Sequence, residues 1–185
     1  QIAALLPPEF PDALRTRLLL TADQWDGFPQ KRMELLGTLA FVPNSVIISG
    51  DIHATFVTDH GGGVFEFTGP AISSATFQSI TARAVLEHPI LGSLPGVEQL
   101  VGYLPVMLQV STLGDTATTS DIAYARTANH GYMVMDVGPE AITARLVEAP
   151  ETSTFTSYYD DPDGLQALYT ETVFEVRDGE LTQLP

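Results

Sequence analysis

The apolar positions of this chain change their spacing several times, and each change marks an element. Met33, Leu36 and Ala40, with Leu35 and Leu39, recur at three- and four-residue intervals behind Pro29. That spacing predicts a helix of about ten residues that begins at the proline, where the missing N–H costs nothing. Val46 to Ser49 is a short β-branched run between Pro43-Asn44 and Gly50-Asp51, and reads as a buried strand. Helix, short loop and buried strand together imply an α/β layer. Thr55 to Thr58 and Val64 to Thr68 are two further strand-like runs, and Gly61, Gly62 and Gly63 between them suit a hairpin turn. Leu14 to Thr21 fits a short helix or a strand equally well.

Phe77 to Leu86 predicts a second helix, and the proline- and glycine-bearing stretch from Glu87 to Pro105 a long irregular loop. Tyr132 to Val137 reads as a strand that turns at Gly138-Pro139-Glu140. Ile142, Ala144 and Leu146 then alternate with Thr143 and Arg145 as a half-buried partner. Val173 to Arg177 and Leu181 to Leu184, joined at Asp178-Gly179, repeat the hairpin pattern. There is no internal repeat.

With 44% hydrophobic residues in 185, the chain has material for a packed core and is not a disordered acidic tail. Its charge is lopsided: 23 acidic against 8 basic residues give −15, and Lys31 is the one lysine. Such a surface repels nucleic acid and anionic membrane, which are bound chiefly through clustered Lys and Arg, so neither is expected as a partner. No apolar run approaches the roughly 20 residues of a membrane span. The absence of cysteine removes disulfides and thiolate chemistry without indicating a compartment. The chain opens on Gln1 and runs at once into Pro7-Pro8, which suggests a fragment or a processed product.

Candidate chemistry concentrates at Gly50-Asp51-Ile52-His53, just past the predicted buried strand. On an extended segment, side chains two apart point the same way, so Asp51 and His53 are expected to converge beyond the strand's carboxyl end, where open α/β sheets place ligands. One oxygen and one nitrogen suit a hard or borderline dication. The plainer alternative is a turn-capping aspartate followed by an ordinary half-buried histidine.

Asp23-Gln24-Trp25-Asp26-Gly27-Phe28-Pro29 immediately before the first helix, taken with Gly50-Asp51-Ile52-His53, resembles the C-terminal half of PhoD-like alkaline phosphatases, metal-dependent phosphoesterases of the calcineurin-like superfamily. The resemblance continues through Glu66-Phe67 and Ile72-Ser73-Ser74 to His130-Gly131-Tyr132 and Val137-Gly138-Pro139-Glu140, roughly Thr21 to Val147. It implies an α/β fold, namely the C-terminal half of a metallophosphoesterase-type β-sandwich flanked by helices, with β-hairpins toward the C-terminus. Residues 1–185 would form one partial domain whose N-terminal half, the partner it would need, is absent. It also implies hydrolysis of small phosphate mono- or diesters by a metal-activated hydroxide at a dinuclear or multinuclear centre, with iron and calcium as the family's metals, outside the cytoplasm. Asp51 and His53 match the family's late metal-ligand motif. Asp23 and Asp26 are further metal candidates from the aspartate-rich segment, or else a solvated acid and a helix cap. Trp25 is expected to pack. His130 is the catalytic candidate, to orient phosphate or donate a proton, against an ordinary histidine opening a strand.

The family's upstream ligands are not in this sequence, so the chain is expected to be inactive alone. Two other readings compete: a non-catalytic acidic β-rich accessory or interaction module of the same fold, and a hydrolase using paired carboxylates such as Asp23 and Asp51. His60-Gly61-Gly62-Gly63 imitates an esterase oxyanion signature, but no Gly-x-Ser-x-Gly elbow accompanies it, and a turn explains it. Asp160, Asp161 and Asp163 lack calcium-loop spacing and read as a turn that starts a short helix.

Overall fold

A computed structural model describes Trp25 and residues 28–99, 101–102 and 121–185, arranged as two units, 1–42 and 43–185. The Leu14–Thr21 segment, Asp23 and Asp26 lie outside the described residues.

In the first unit, helix α1 spans Pro29–Leu39 with the proline at its start, as the spacing predicts. Its apolar side is less covered than expected. Leu36 and Leu39 are half-buried, whereas Met33 is 66% exposed.

The second unit is built on two four-stranded sheets. In the first, β1 (Ser45–Ser49) runs parallel to β3 (Val64–Thr68), and β2 (Thr55–Asp59) lies antiparallel between β3 and β4 (Ile122–Arg126), giving the order β1-β3-β2-β4. Gly61, Gly62 and Gly63 all take positive φ, which makes the β2–β3 hairpin possible. The second sheet is a meander of β5 (Asn129–Val137), β6 (Ala141–Pro150), β7 (Thr170–Arg177) and β8 (Glu180–Leu184). Asp178 and Gly179 both have positive φ, as a two-residue turn between twisted strands requires. Helix α2 (Phe77–Glu87) and the short α3 (Pro162–Gln166), capped by the Asp161 carboxylate on Gly164 N at 2.9 Å, complete the set.

Alternation along the strands sends one face of each sheet into a shared core. Val57, Phe65, Phe67 and Tyr124 from the first sheet meet Ala144, Leu146, Phe174 and Val176 from the second. The Phe174 ring stands edge-on to Phe67 and Tyr124, at centroid separations of 6.3 and 5.5 Å.

Three expectations change. β1 is not a fully buried strand: it pairs on one side only among the described residues, and Ile48 on it is 61% exposed. Its apolar composition reflects the core contact of Val46, not burial of both faces. β4 does not stand out in the sequence, because its two strong strand formers, Ile122 and Tyr124, are separated and followed by alanines in a run of only five residues. The stretch after α2 is not wholly irregular, with a 3-10 turn at Leu91–Ser93 and helical residues at 97–99.

Candidate functional site

Because β1 and β3 are parallel, their carboxyl ends lie at the same end of the sheet, and the loops 50–54 and 69–76 leave from there together. Gly69 N donates to Ser49 O at 2.9 Å and ties the two exits. Beneath them, the Ser49 hydroxyl donates to Glu66 Oε1 at 2.6 Å and lies 2.8 Å from Thr68 Oγ1, while Glu66 Oε2 sits 2.9 Å from His60 Nε2. The carboxyl end of a parallel pair is where this class of sheet presents ligand-binding loops.

Asp51 and His53 are both in the first of those loops. They are not on an extended segment: the strand ends at Ser49, and Asp51 (φ 68°) and His53 (φ 61°) both occupy the left-handed region. The alternation argument for their convergence therefore does not apply, since it holds only where successive φ values are extended. Left-handed backbone at two non-glycine positions in one tetrapeptide costs on the order of 1 kcal/mol each, and such outliers cluster where side chains are aimed for a purpose. The Asp51 carboxylate is exposed and makes no hydrogen bond or ion pair with the described residues.

The His53 ring is held. Nδ1 lies 2.6 Å from Ala75 O, and Phe77 N donates to His53 O at 2.8 Å. A carbonyl only accepts, so Nδ1 carries a proton, and in the neutral ring Nε2 is the nitrogen with the lone pair. An imidazole ligates a metal in this form, with the second ring nitrogen fixed by a backbone carbonyl. A carboxylate oxygen and an imidazole nitrogen are donors of the kind a dication takes. Among the described residues no group of three or more His, Asp or Glu side chains gathers to form a full donor set.

His130 opens β5 and is 3% exposed. Its Nε2 donates to Ser74 O at 2.8 Å, and Nδ1 is enclosed without a protein partner. Neither nitrogen faces solvent. Trp25 is about half exposed. The N-terminus of α2, which also opens here, is already served by protein groups: the Ser79 hydroxyl lies 2.7 Å from both oxygens of Glu151 and donates its one proton to that carboxylate, Thr76 N lies 3.3 Å from Glu151 Oε1, and Thr76 Oγ1 caps Ser79 N. A carboxylate on the positive end of the helix leaves little for a second anion to gain.

Sequence reasoning missed one buried cluster. Glu148, 1% exposed, accepts from Thr55 Oγ1 at 2.6 Å and from the Tyr124 hydroxyl at 2.5 Å, joining β6 to β2 and β4 across the sheets. Burial raises the Glu148 carboxyl above its ordinary range despite these donors, and burial together with the Glu148 charge raises the Tyr124 phenol. The signal was present: Glu148 continues the phase of Ile142, Ala144 and Leu146, which marks it as facing the core.

The parallel strand pair thus sends its loops out at one end, and the first of them carries an aspartate and a histidine whose Nδ1 is tied to a backbone carbonyl. The family model for PhoD-like phosphatase matches residues 8–146, well over half of the chain, and the chain belongs to that family. Phosphatase activity is the family's function at that level. No curated protein and no solved structure matches the chain.

Proposed function

We propose that the chain contributes the late part of the metal site of a phosphomono- or diesterase, with Asp51 and His53 as ligands, and that the site needs donors from outside the described residues. The observation that carries this reading is the His53 Nδ1 contact with Ala75 O at 2.6 Å, which in the neutral ring leaves the lone pair on Nε2, in the loop at the carboxyl end of β1 and β3. Asp51 adds an unengaged carboxylate two residues away. A metal held there supplies Lewis acidity toward phosphoryl oxygens and water, and a local positive charge on a surface of net −15. Asp23 and Asp26 remain candidates for further donors, with iron and calcium as the metals the resemblance names and an extracytoplasmic setting as part of the same reading.

Within that site the chain's own residues hold and orient. Ala75 and Phe77 fix the imidazole and its backbone, and Glu66 with Ser49 and Thr68 steadies the strand ends from which the ligand loop springs. The test is a Mn2+ titration of the 185-residue chain, followed by proton relaxation. Wild type should bind, and Asp51→Asn and His53→Leu should each weaken binding by at least about tenfold, the scale on which even supporting residues act. Inorganic phosphate should associate only when Mn2+ is present. Equal Mn2+ binding by wild type and both variants, or phosphate binding without metal, overturns the proposal.

A further inference from the structure

Two histidines grip adjacent carbonyls of one segment. His130 Nε2 donates to Ser74 O at 2.8 Å and His53 Nδ1 to Ala75 O at 2.6 Å, one from the first strand of the second sheet and one from the ligand loop of the first. Between them the chain from Ala71 to Thr76 forms a strap. Its near end is tied to β5 by Gly131 N donating to Ala71 O at 3.0 Å, and its far end runs into α2, whose first residue returns to the ligand loop through Phe77 N on His53 O at 2.8 Å. Ile72, Ser73, Ser74 and Ala75 are exposed, so packing does little to fix the carbonyls between those ties. The direction of these carbonyls therefore depends on hydrogen bonds: the buried His130 holds Ser74 O, and Thr76 N, in the same peptide unit as Ala75 O, lies 3.3 Å from Glu151 Oε1.

We propose that His130 is a positioning residue for His53. By anchoring Ser74 O from inside, it sets the aim of Ala75 O, and Ala75 O in turn sets which nitrogen of His53 is protonated and which is left for a cation. This rests on the reading of His53 as a ligand and gives His130 a role that its burial allows. Direct contact with a phosphate requires a ring nitrogen reachable from solvent, and both are enclosed. Groups that hold a metal-ligating histidine directly typically cost about 10- to 100-fold in affinity when lost, and His130 stands one carbonyl further out, so the lower end of that range applies.

The chain has four histidines, so ring nitrogen–proton correlation NMR can resolve each tautomer. Wild type should show His53 in the Nδ1–H form and His130 in the Nε2–H form. His130→Gln, whose amide nitrogen can reach Ser74 O as Nε2 does, should keep the His53 tautomer and Mn2+ affinity within about threefold. His130→Leu should give a mixture of His53 tautomers and weaken Mn2+ by about tenfold or more. An unchanged His53 tautomer in a folded His130→Leu variant overturns the proposal. Should that variant fail to fold, the wild-type spectrum decides: His53 protonated on Nε2, or His130 on Nδ1, refutes it. Absence of Mn2+ binding by wild type with both tautomers as stated sinks the metal reading alone and leaves the linkage between the histidines standing.

Discussion

At Asp51 the backbone and the side chain want different things. A φ of 68° suits glycine, and an aspartate held there with no partner among the described residues contributes no contact in return. Asp51→Gly should therefore leave stability unchanged or raise it by up to about 1 kcal/mol while removing Mn2+ binding, and Asp51→Val should lower it by roughly 1–2 kcal/mol, because a β-branched residue tolerates this region worst. Urea midpoints of the three proteins check the order. Gly131 presents the opposite case: a Cβ there would lie 2.1 Å from Val147 O and 3.0 Å from Glu148 Cα, so Gly131→Ala must move backbone. A loss of about 2–3 kcal/mol is expected, the upper range for overpacking, read again as a shifted urea midpoint. At this scale the sequence told which residues to watch but not how they are held. Gly50-Asp51-Ile52-His53 announced itself by composition, while positive φ at two of its positions, and the carbonyl that fixes His53, depend on a loop more than twenty residues away.

Elements with strong local signals were legible. The α1 start at Pro29, the triple-glycine hairpin, the α2 span and the Asp178-Gly179 turn all follow from residues adjacent in sequence. What did not follow were features decided by pairing. A run such as Val46 to Ser49 looks the same at the centre of a sheet and at its edge, and only the neighbours on either side distinguish them. The cap of α2 is a similar case, since its strongest acceptor, Glu151, comes from beyond β6, seventy-two residues after Ser79. Glu151→Ala should cost about 1 kcal/mol, as loss of a good cap does, and a second substitution at Ser79 should add little once Glu151 is gone. A double-mutant cycle by thermal unfolding measures this, and full additivity would show that the two side chains act independently.

Across the 43–185 unit the two sheets are joined by an apolar core with one acid inside it, and that acid should govern how stability changes with pH. Both hydroxyls on Glu148 stabilise its charge, yet burial outweighs them and its proton is held more tightly in the folded chain than in the unfolded one. For a carboxyl raised in this way, the folded state binds more protons than the unfolded state between the two pKa values, so stability must fall as pH rises through that window. The contribution is complete below the ordinary glutamate value of 4.5 and is lost on passing the raised one. Tyr124, also raised by burial, adds a loss of the same sign above the ordinary phenol value of 10.0. General repulsion among the 23 acids acts in the same direction, so the wild-type slope alone does not isolate Glu148. Glu148→Gln does, because it keeps the shape and two hydrogen-bonding positions but cannot ionise. The glutamine variant should be closest to wild type in mild acid and gain on it steadily toward neutral pH, with urea unfolding measured across that range. Two curves that run parallel would mean that Glu148 titrates alike in both states, and that the polar link between the sheets carries no proton of its own.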